Sequence, residues 1–399
     1  MLSNLNSTDT PPSEPTLATT LIHWTENNRA QSTRWHSESS LTAPKRVVIA
    51  DDTLNADSAY RLACEGTGLL WRGDFQNARQ LLTALAHRID RPAKKPKRIK
   101  PGAASPVSTP SSAFHRHRQA QAQRARVLAM LLVPFEADYH IPLRRAPEIA
   151  LACNEAYGAS SGPFVAPLRE LLGIIGAHEW RRSGVEIAAL GARIHPHYGV
   201  FSPLRGEYID LVAAAPLPSN TKLAFDIGTG SGVLALLLAQ RGITRVLATE
   251  TEPRALSCAR ENLALLDHAH QIELINCDLF PPGRAPLIVC NPPWLPARPN
   301  STIEHAIYDP ESQMLRGFLN GLAAHLEPKG EGWLLLSDLA EHLGLRSRTE
   351  LEGLIADAGL RVLGRSEVRP QHPKSTDASD ALHAARAAEL TSLWRLAAI

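Results

Sequence analysis

The chain of 399 residues has few cysteines and lacks a long apolar run, and these shortages exclude several classes of protein. Its five cysteines form no C-x-x-C pair and show no metal-ligand spacing, which argues against a disulfide scaffold and a zinc site. The first 20 residues have neither the basic region nor the apolar core of a signal peptide, and no apolar stretch is long enough to span a membrane. These absences predict a soluble, cytoplasmic protein without a metal centre.

The sequence also lacks a strong overall charge, because its formal net charge is only +2. A binding preference must therefore come from local patches. One such patch runs from Arg91 to Arg126, where there is no acidic residue. It is either a solvated tether followed by a polar helix face, or a surface that contacts the phosphates of a nucleic acid.

Composition divides the chain into three parts. Residues 1–40 are rich in Ser, Thr and Pro, which predicts a disordered lead. Residues 41–185 are predicted to form a mostly helical substrate-recognition domain, with a basic, proline-bearing linker at 91–112 and one helix over 113–135. From residue 186 to residue 399 the pattern changes to regular β-α-β alternation, which places the domain boundary near residue 185.

A glycine-rich turn opens the alternating part, in the stretch KLAFDIGTGSGVLALLLAQ. Gly228, Gly230 and Gly232 carry no Cβ, so a ligand can approach the backbone and the free N–H groups of the helix that follows. Val233 stands where a dinucleotide-binding motif would have its last glycine, which disfavours a nicotinamide or flavin enzyme. The turn by itself is also compatible with an ordinary tight strand-to-helix crossing.

Acidic residues follow the next two strands at their carboxyl ends. Glu250 comes about 20 residues after the turn, where a carboxylate can accept both ribose hydroxyls of a nucleoside. The alternative for this region is helix capping, for which Glu252 is the better candidate. Asp278 ends the third strand and can accept from an adenine amino group, with Leu279 beside the ring. Because all these strand ends meet at one edge of a parallel sheet, the pattern predicts a nucleoside site.

The fourth strand stops abruptly in LIVCNPPW, since a strand interior cannot use two prolines. The side-chain carbonyl of Asn291 and the backbone carbonyl of Pro292 can accept from a weakly nucleophilic nitrogen, and Pro293 helps to keep the loop extended. Trp294 offers a flat face for a planar substrate. The alternative interpretation is a proline-stopped strand with a core tryptophan.

In this order and spacing, DIGTGSG and NPPW resemble the class I S-adenosylmethionine-dependent methyltransferases, within them the small-methyltransferase-domain group with an N-P-P-[YFW] motif. That group includes the release-factor glutamine methyltransferases and N6-adenine-type methyltransferases. The resemblance covers about residues 186–399 and implies a Rossmann-like α/β domain with a seven-stranded sheet and S-adenosylmethionine as cofactor. It implies a methionine subsite at Asp226, Gly228, Gly230 and Gly232, a ribose subsite at Glu250, an adenine subsite at Asp278 and Leu279, and Asn291 as a further cofactor-binding residue.

The resemblance predicts an N-methyltransferase acting on a planar nitrogen of a macromolecule. The hairpin region VEIAALGARIHPHYGVFSP is similar in placement to one in glutamine methyltransferases, which favours the side-chain amide of glutamine in a translation-related protein. The alternative is an exocyclic amino group of RNA or DNA, suggested by Trp294 and the basic segment 91–126. A hypothesis of another class is a non-catalytic nucleic-acid-binding protein on the same fold.

Three polar residues follow the NPPW motif by 10 to 15 positions, namely Glu304, Tyr308 and Asp309. They are candidates for shaping the acceptor pocket. Asp309 stands directly before Pro310, which equally favours a helix start at that position.

Overall fold

The computed structural model describes residues 20–91, 109–203, 205–299, 302–370 and 380–399. Within them, the first part of the chain is built on a six-stranded mixed sheet with the order β1-β2-β6-β5-β4-β3. Its strands are β1 (Leu21–Glu26), β2 (Arg29–Trp35), β3 (Arg46–Ala50), β4 (Thr67–Trp71), β5 (Leu131–Phe135) and β6 (Phe164–Pro167). The accompanying helices are α1 (Ala56–Cys64), α2 (Phe75–Ile89), α3 (Pro110–Leu128), α4 (Ala150–Tyr157) and α5 (Leu168–Ser183).

This sheet corrects two expectations for the first part. Residues 20–40 are not a disordered lead, because they contain the antiparallel pair β1–β2, which joins the sheet through β6. The pair is mostly solvent-exposed and polar, so it lacks the apolar signal of a core strand, although Ile22 is buried. Residues 1–19 lie outside the described residues.

The expectation of a mostly helical domain over residues 41–185 is corrected to an α/β arrangement. The helix predicted over 113–135 ends at Leu128, and its apolar second half becomes β5, which pairs with β4 and β6. A short apolar run is compatible with either structure, and here the neighbouring strands decide. Most of the linker at 91–112 lies outside the described residues.

A small hairpin of β7 (Val185–Ile187) and β8 (Ala192–Ile194) follows at the predicted change of pattern. The position of the domain boundary near residue 185 stays a prediction.

The second part contains the seven-stranded sheet that the resemblance implies, with the order β11-β10-β9-β12-β13-β15-β14. Its strands are β9 (Leu223–Ile227), β10 (Arg245–Glu250), β11 (Ile272–Asn276), β12 (Ala285–Cys290), β13 (Leu326–Ser337), β14 (Leu360–Val368) and β15 (Thr391–Ala398). Its helices are α6 (Glu207–Ala214), α7 (Val233–Gln240), α8 (Pro253–Ala264), α9 (Gln313–His325), α10 (Leu339–His342), α11 (Arg348–Asp357) and α12 (His383–Ala388).

Strands β9 to β13 are parallel, whereas β15 runs antiparallel to both β13 and β14. Apolar side chains cover both faces of this sheet, as expected for a parallel sheet enclosed by helices. Helix α7 is apolar around its whole circumference and is correspondingly buried. The carboxyl ends of β9, β10 and β12 therefore lie side by side at one edge. None of the described helices is long and apolar enough to cross a membrane.

Candidate active site

The predicted turn between β9 and α7 adopts the backbone conformation that its glycines permit. Gly228, Gly230 and Gly232 have φ values of +70°, +56° and +86°, a region that other residues rarely occupy. A Cβ on Gly228 would lie 2.6 Å from Cε of Met314, so this methionine side chain would have to shift to accommodate it. A Cβ on Gly232 would instead contact Ala259 of α8 at 3.5 Å, and Gly232 does not line the cavity above the turn.

Asp226 lies behind the turn, with 1% of its surface exposed, and it does not line the cavity. Its Oδ2 accepts a 2.6 Å hydrogen bond from the Thr229 hydroxyl, whereas Oδ1 has no partner among the described residues. Burial raises the pKa of this carboxyl from 3.8 to about 6, against the lowering effect of the Thr229 hydroxyl. Asp226 therefore holds the turn from below and does not form part of the cavity wall.

Glu250 is held by backbone amides at the end of β10. Its carboxylate accepts from the N–H groups of Gly230 at 3.1 Å, Thr251 at 2.8 Å and Glu252 at 3.1 Å. The helix-capping alternative belongs to Glu252, whose side chain accepts from the Arg254 amide at the start of α8. Glu250 is thus left at the cavity wall, with its orientation fixed relative to the glycine turn.

The residues after β11 form a second wall of the same cavity. Asp278 is exposed, while Leu279 is partly buried with φ +54°. The Leu279 carbonyl accepts a 2.7 Å hydrogen bond from the Thr249 hydroxyl, which ties this segment to β10. An apolar side chain next to an exposed carboxylate matches the needs of an adenine ring with its amino group.

The NPPW segment begins directly after β12 and lines the cavity with all four of its residues. Asn291 is half-buried, and its Oδ1 accepts a 2.9 Å hydrogen bond from Nε1 of Trp294. The guanidinium carbon of Arg205 lies 5.1 Å from the centre of the Trp294 ring, at a cation–π distance. Trp294 is therefore a partner of Asn291 as well as a candidate stacking surface.

The outer wall of the cavity comes partly from α3 in the first part of the chain. Phe114 is buried among apolar residues of the second part, including Leu295 and Leu339. Arg118 lies 3.9 Å above the Tyr308 ring and forms a 3.0 Å ion pair with Glu304. Helix α3 is thereby fixed against the loop that follows the NPPW segment.

The three candidates in that loop have different roles. Glu304 and Tyr308 line the cavity. Asp309 does not line it, because its carboxylate accepts from the amides of Met314 and Leu315 in the first turn of α9. The helix-start alternative is therefore the correct one for Asp309.

The cavity has a volume of about 810 Å³, within the range of cofactor and ligand sites. It brings together Gly228, Gly230, Glu250, Asp278, Leu279, Asn291, Pro292, Pro293 and Trp294, and it excludes Asp226 and Gly232. The donor set fits S-adenosylmethionine, since it offers backbone groups at the turn, an oriented carboxylate for a ribose, and an apolar adenine wall. Each assignment of a residue to a part of this cofactor stays a prediction.

Sequence reasoning did not identify Phe114, Arg118, Arg205 or Glu389 as site residues, although all of them line the cavity. The basic segment containing Arg118 indicates a possible nucleic-acid contact, and nothing in its pattern indicates a contact with Glu304 or Tyr308. Arg205 and Glu389 pair with each other across 184 positions, and no local pattern marks such a pair. Only the folded chain brings them to the site.

The chain is similar in sequence to several known methyltransferases. Residues 191–347 match the family model described as methyltransferase small domain. A release factor glutamine methyltransferase from Cereibacter sphaeroides is 30% identical over 253 residues, which are 60% of this chain and 83% of that protein. A tRNA1(Val) (adenine(37)-N6)-methyltransferase from a Shewanella species is 28% identical over 191 residues, 42% of this chain and 80% of that protein. A solved ribosomal protein L11 methylase from Lactobacillus delbrueckii subsp. bulgaricus aligns with a TM-score of 0.32 at 19% identity, over 48% of this chain and 79% of that chain.

Proposed function

Because the chain belongs to the S-adenosylmethionine-dependent methyltransferases of the small-domain family, we propose that it methylates a planar nitrogen of a macromolecule, with the side-chain amide of a protein glutamine as the preferred acceptor. The family membership confirms the predicted enzyme class and cofactor. The acceptor is the part that we propose.

The placement of Asn291 carries this proposal. It follows β12 at the sheet edge where the glycine turn and Glu250 also lie, and all of them line one cavity. Its Oδ1 and the Pro292 carbonyl are two acceptors on adjacent residues, suited to a nitrogen that bears two hydrogens. The two prolines restrict the backbone, so the acceptors keep their relative position.

The cofactor supplies an electrophilic methyl group on a sulfonium. The amide nitrogen is a poor nucleophile because its lone pair is delocalised. Hydrogen bonds from its N–H groups to Asn291 and Pro292 favour the geometry in which the lone pair is free, and they stabilise the positive charge that develops on nitrogen. With the cofactor bound, Asn291 and Pro292 would hold the nitrogen in place for methyl transfer, and the methylated nitrogen would lose one proton to water.

Two observations favour glutamine over a nucleobase. The relative with the broader coverage of this chain is a release factor glutamine methyltransferase. In addition, the Arg205 guanidinium lies over the Trp294 ring, which leaves less of the indole face for stacking on a base. A glutamine side chain needs no such stacking surface.

The amino group of a nucleobase is the second candidate, supported by the tRNA adenine-N6 relative and by α3, which carries no acidic residue. Two of the α3 arginines are engaged within the protein, because Arg118 pairs with Glu304 and Arg124 pairs with Asp90. This reduces the charge that α3 offers to a phosphate. A non-catalytic nucleic-acid-binding role is disfavoured by the assembled cavity. The cytoplasm is the proposed location.

The acceptor class is tested with S-adenosylmethionine labelled in the methyl group, incubated with the purified protein and a bacterial lysate. We expect protease treatment to release the label and nuclease treatment to leave it in place. The reverse result would transfer the proposal to the nucleobase amine. No incorporation into either fraction would contradict the proposed macromolecular acceptor.

The role of Asn291 is tested in the same assay with Asn291→Ala, for which we expect a fall in turnover of about 100-fold or more, typical of the loss of a group that stabilises transition-state charge. Binding of S-adenosylmethionine, measured by calorimetry, should change little. The matched control is Asn276→Ala, an exposed asparagine at the end of β11 that does not line the cavity. Equal turnover of both variants would refute the role of Asn291.

A further inference from the structure

The indole N–H of Trp294 determines which atom of the Asn291 amide faces it. The two groups lie 2.9 Å apart, and an indole nitrogen can only donate a hydrogen bond. The atom of Asn291 that accepts must therefore be the carbonyl oxygen. Without such a donor, the terminal torsion of an asparagine is broad and roughly two-fold, so oxygen and nitrogen could exchange places.

The orientation of this amide matters for the proposed reaction. Its oxygen is an acceptor with two lone pairs, of which the indole uses one. The other remains for an N–H group of the substrate. If the amide were reversed, its NH₂ group would face the substrate nitrogen and would repel the N–H groups that it is meant to bind.

The indole is itself held in place by charged side chains. Arg205 lies at 5.1 Å from its ring centre and donates to Glu207 at 2.7 Å and to Glu389 at 3.0 Å. These two carboxylates are only 8% and 3% exposed, and Glu389 also accepts from the Ser337 hydroxyl at 2.6 Å. A partly buried guanidinium that donates to two buried carboxylates is a well-held support for the ring.

We propose that Trp294 is a positioning residue that acts through Asn291, with its N–H fixing the amide oxygen toward the substrate nitrogen and Arg205 supporting the ring. The inference rests on the proposed function, because it concerns the same acceptor amide. It differs from a stacking role, which would depend on the flat ring and not on the N–H group.

Trp294→Phe separates the two roles, since phenylalanine keeps an aromatic face and loses the donor. We expect turnover to fall about tenfold, the effect of losing one hydrogen bond that matters in the transition state, with the KM for S-adenosylmethionine unchanged. Trp294→Tyr, which restores a donor at the ring edge, should recover part of the turnover. Trp24→Phe is the matched control, because Trp24 donates to Glu26 in the first part of the chain.

A spectroscopic measurement reports the hydrogen bond without turnover. In protein labelled with 15N-tryptophan, the indole N–H signal that disappears in Trp294→Phe belongs to Trp294. We expect this signal to shift in Asn291→Ala and to stay in place in Asn276→Ala.

The outcomes distinguish this inference from the proposed function. If Trp294→Phe turns over like wild type while Asn291→Ala is inactive, the positioning role is refuted and the function of Asn291 stands. An unmoved indole signal in Asn291→Ala also refutes it. If Asn291→Ala is fully active, the proposed function itself fails.

Discussion

Asp226 offers a test of how far burial controls the chemistry behind the glycine turn. The carboxyl is 1% exposed on β9, and only one of its oxygens is bonded within the described residues. Burial raises its pKa from 3.8 to about 6, so its ionised form is less stable in the folded protein than in the unfolded chain. The isosteric change Asp226→Asn removes the titration and keeps the shape.

The magnitude follows from the pKa shift. A carboxyl whose pKa is raised on folding contributes most stability when protonated, and this contribution is lost as pH rises from 3.8 through 6. The difference between these two pKa values corresponds to roughly 3 kcal/mol in total, of which about 1 kcal/mol is lost between pH 5 and pH 7. The free energy of unfolding of Asp226→Asn, relative to wild type, should therefore rise by about 1 kcal/mol between these pH values.

Urea denaturation of both proteins at pH 5 and pH 7 measures this difference. The variant also loses stability because its amide NH₂ replaces an oxygen that has no hydrogen-bond partner among the described residues. This loss does not depend on pH, so it cancels when the stability differences at pH 5 and pH 7 are compared. Titration of the groups that do not interact with Asp226 cancels between variant and wild type. Asp267→Asn, an exposed aspartate after α8, is the matched control. A stability difference for Asp226→Asn that is the same at pH 5 and pH 7 would show that burial does not raise this pKa.

Two further changes address the cofactor and acceptor sides of the cavity. Glu250→Gln should weaken S-adenosylmethionine binding by about 10- to 100-fold in calorimetry, since hydrogen bonds to a charged group are worth about 1.5–3 kcal/mol. The matched control is Glu273→Gln on β11. Equal affinities of the two variants for S-adenosylmethionine would contradict the ribose role of Glu250. Arg118→Met removes the guanidinium that lies over Tyr308, and we expect kcat/KM for the acceptor to fall about tenfold at unchanged cofactor affinity. An unaffected kcat/KM would mean that α3 does not shape the acceptor site. The matched control is Arg126→Met, which changes an arginine on the exposed face of the same helix.

Local sequence predicted the second part of the chain well. The helix predicted after the glycine turn forms as α7, and the sheet has the seven strands that the resemblance implies. Parallel strands buried on both faces produce continuous apolar runs, and tight turns require glycine. Both patterns depend only on residues that are close together in the sequence, so they can be recognised without knowledge of the fold.

The first part was predicted less well because its sheet depends on distant partners. Strand β2 carries little apolar signal, and it joins the sheet by pairing with β6, more than 120 positions later in the chain. Strand β5 has an apolar run too short to distinguish strand from helix. In both cases backbone hydrogen bonds to another strand decide the structure, and no local pattern reports them.

The sequence by itself determined which residues line the cavity at the carboxyl edge of the sheet, from the glycine turn to Asn291 and Trp294. Only the tertiary structure decided what each side chain contacts. Asp226 lies behind the turn and accepts from Thr229, Asp309 accepts from backbone amides at the start of α9, and Trp294 donates to Asn291. It also brought Arg118 to Glu304 across 186 positions. The physical reason is that turn and strand signals act between neighbours, whereas the orientation of a side chain in a cavity depends on whichever distant groups the fold places beside it.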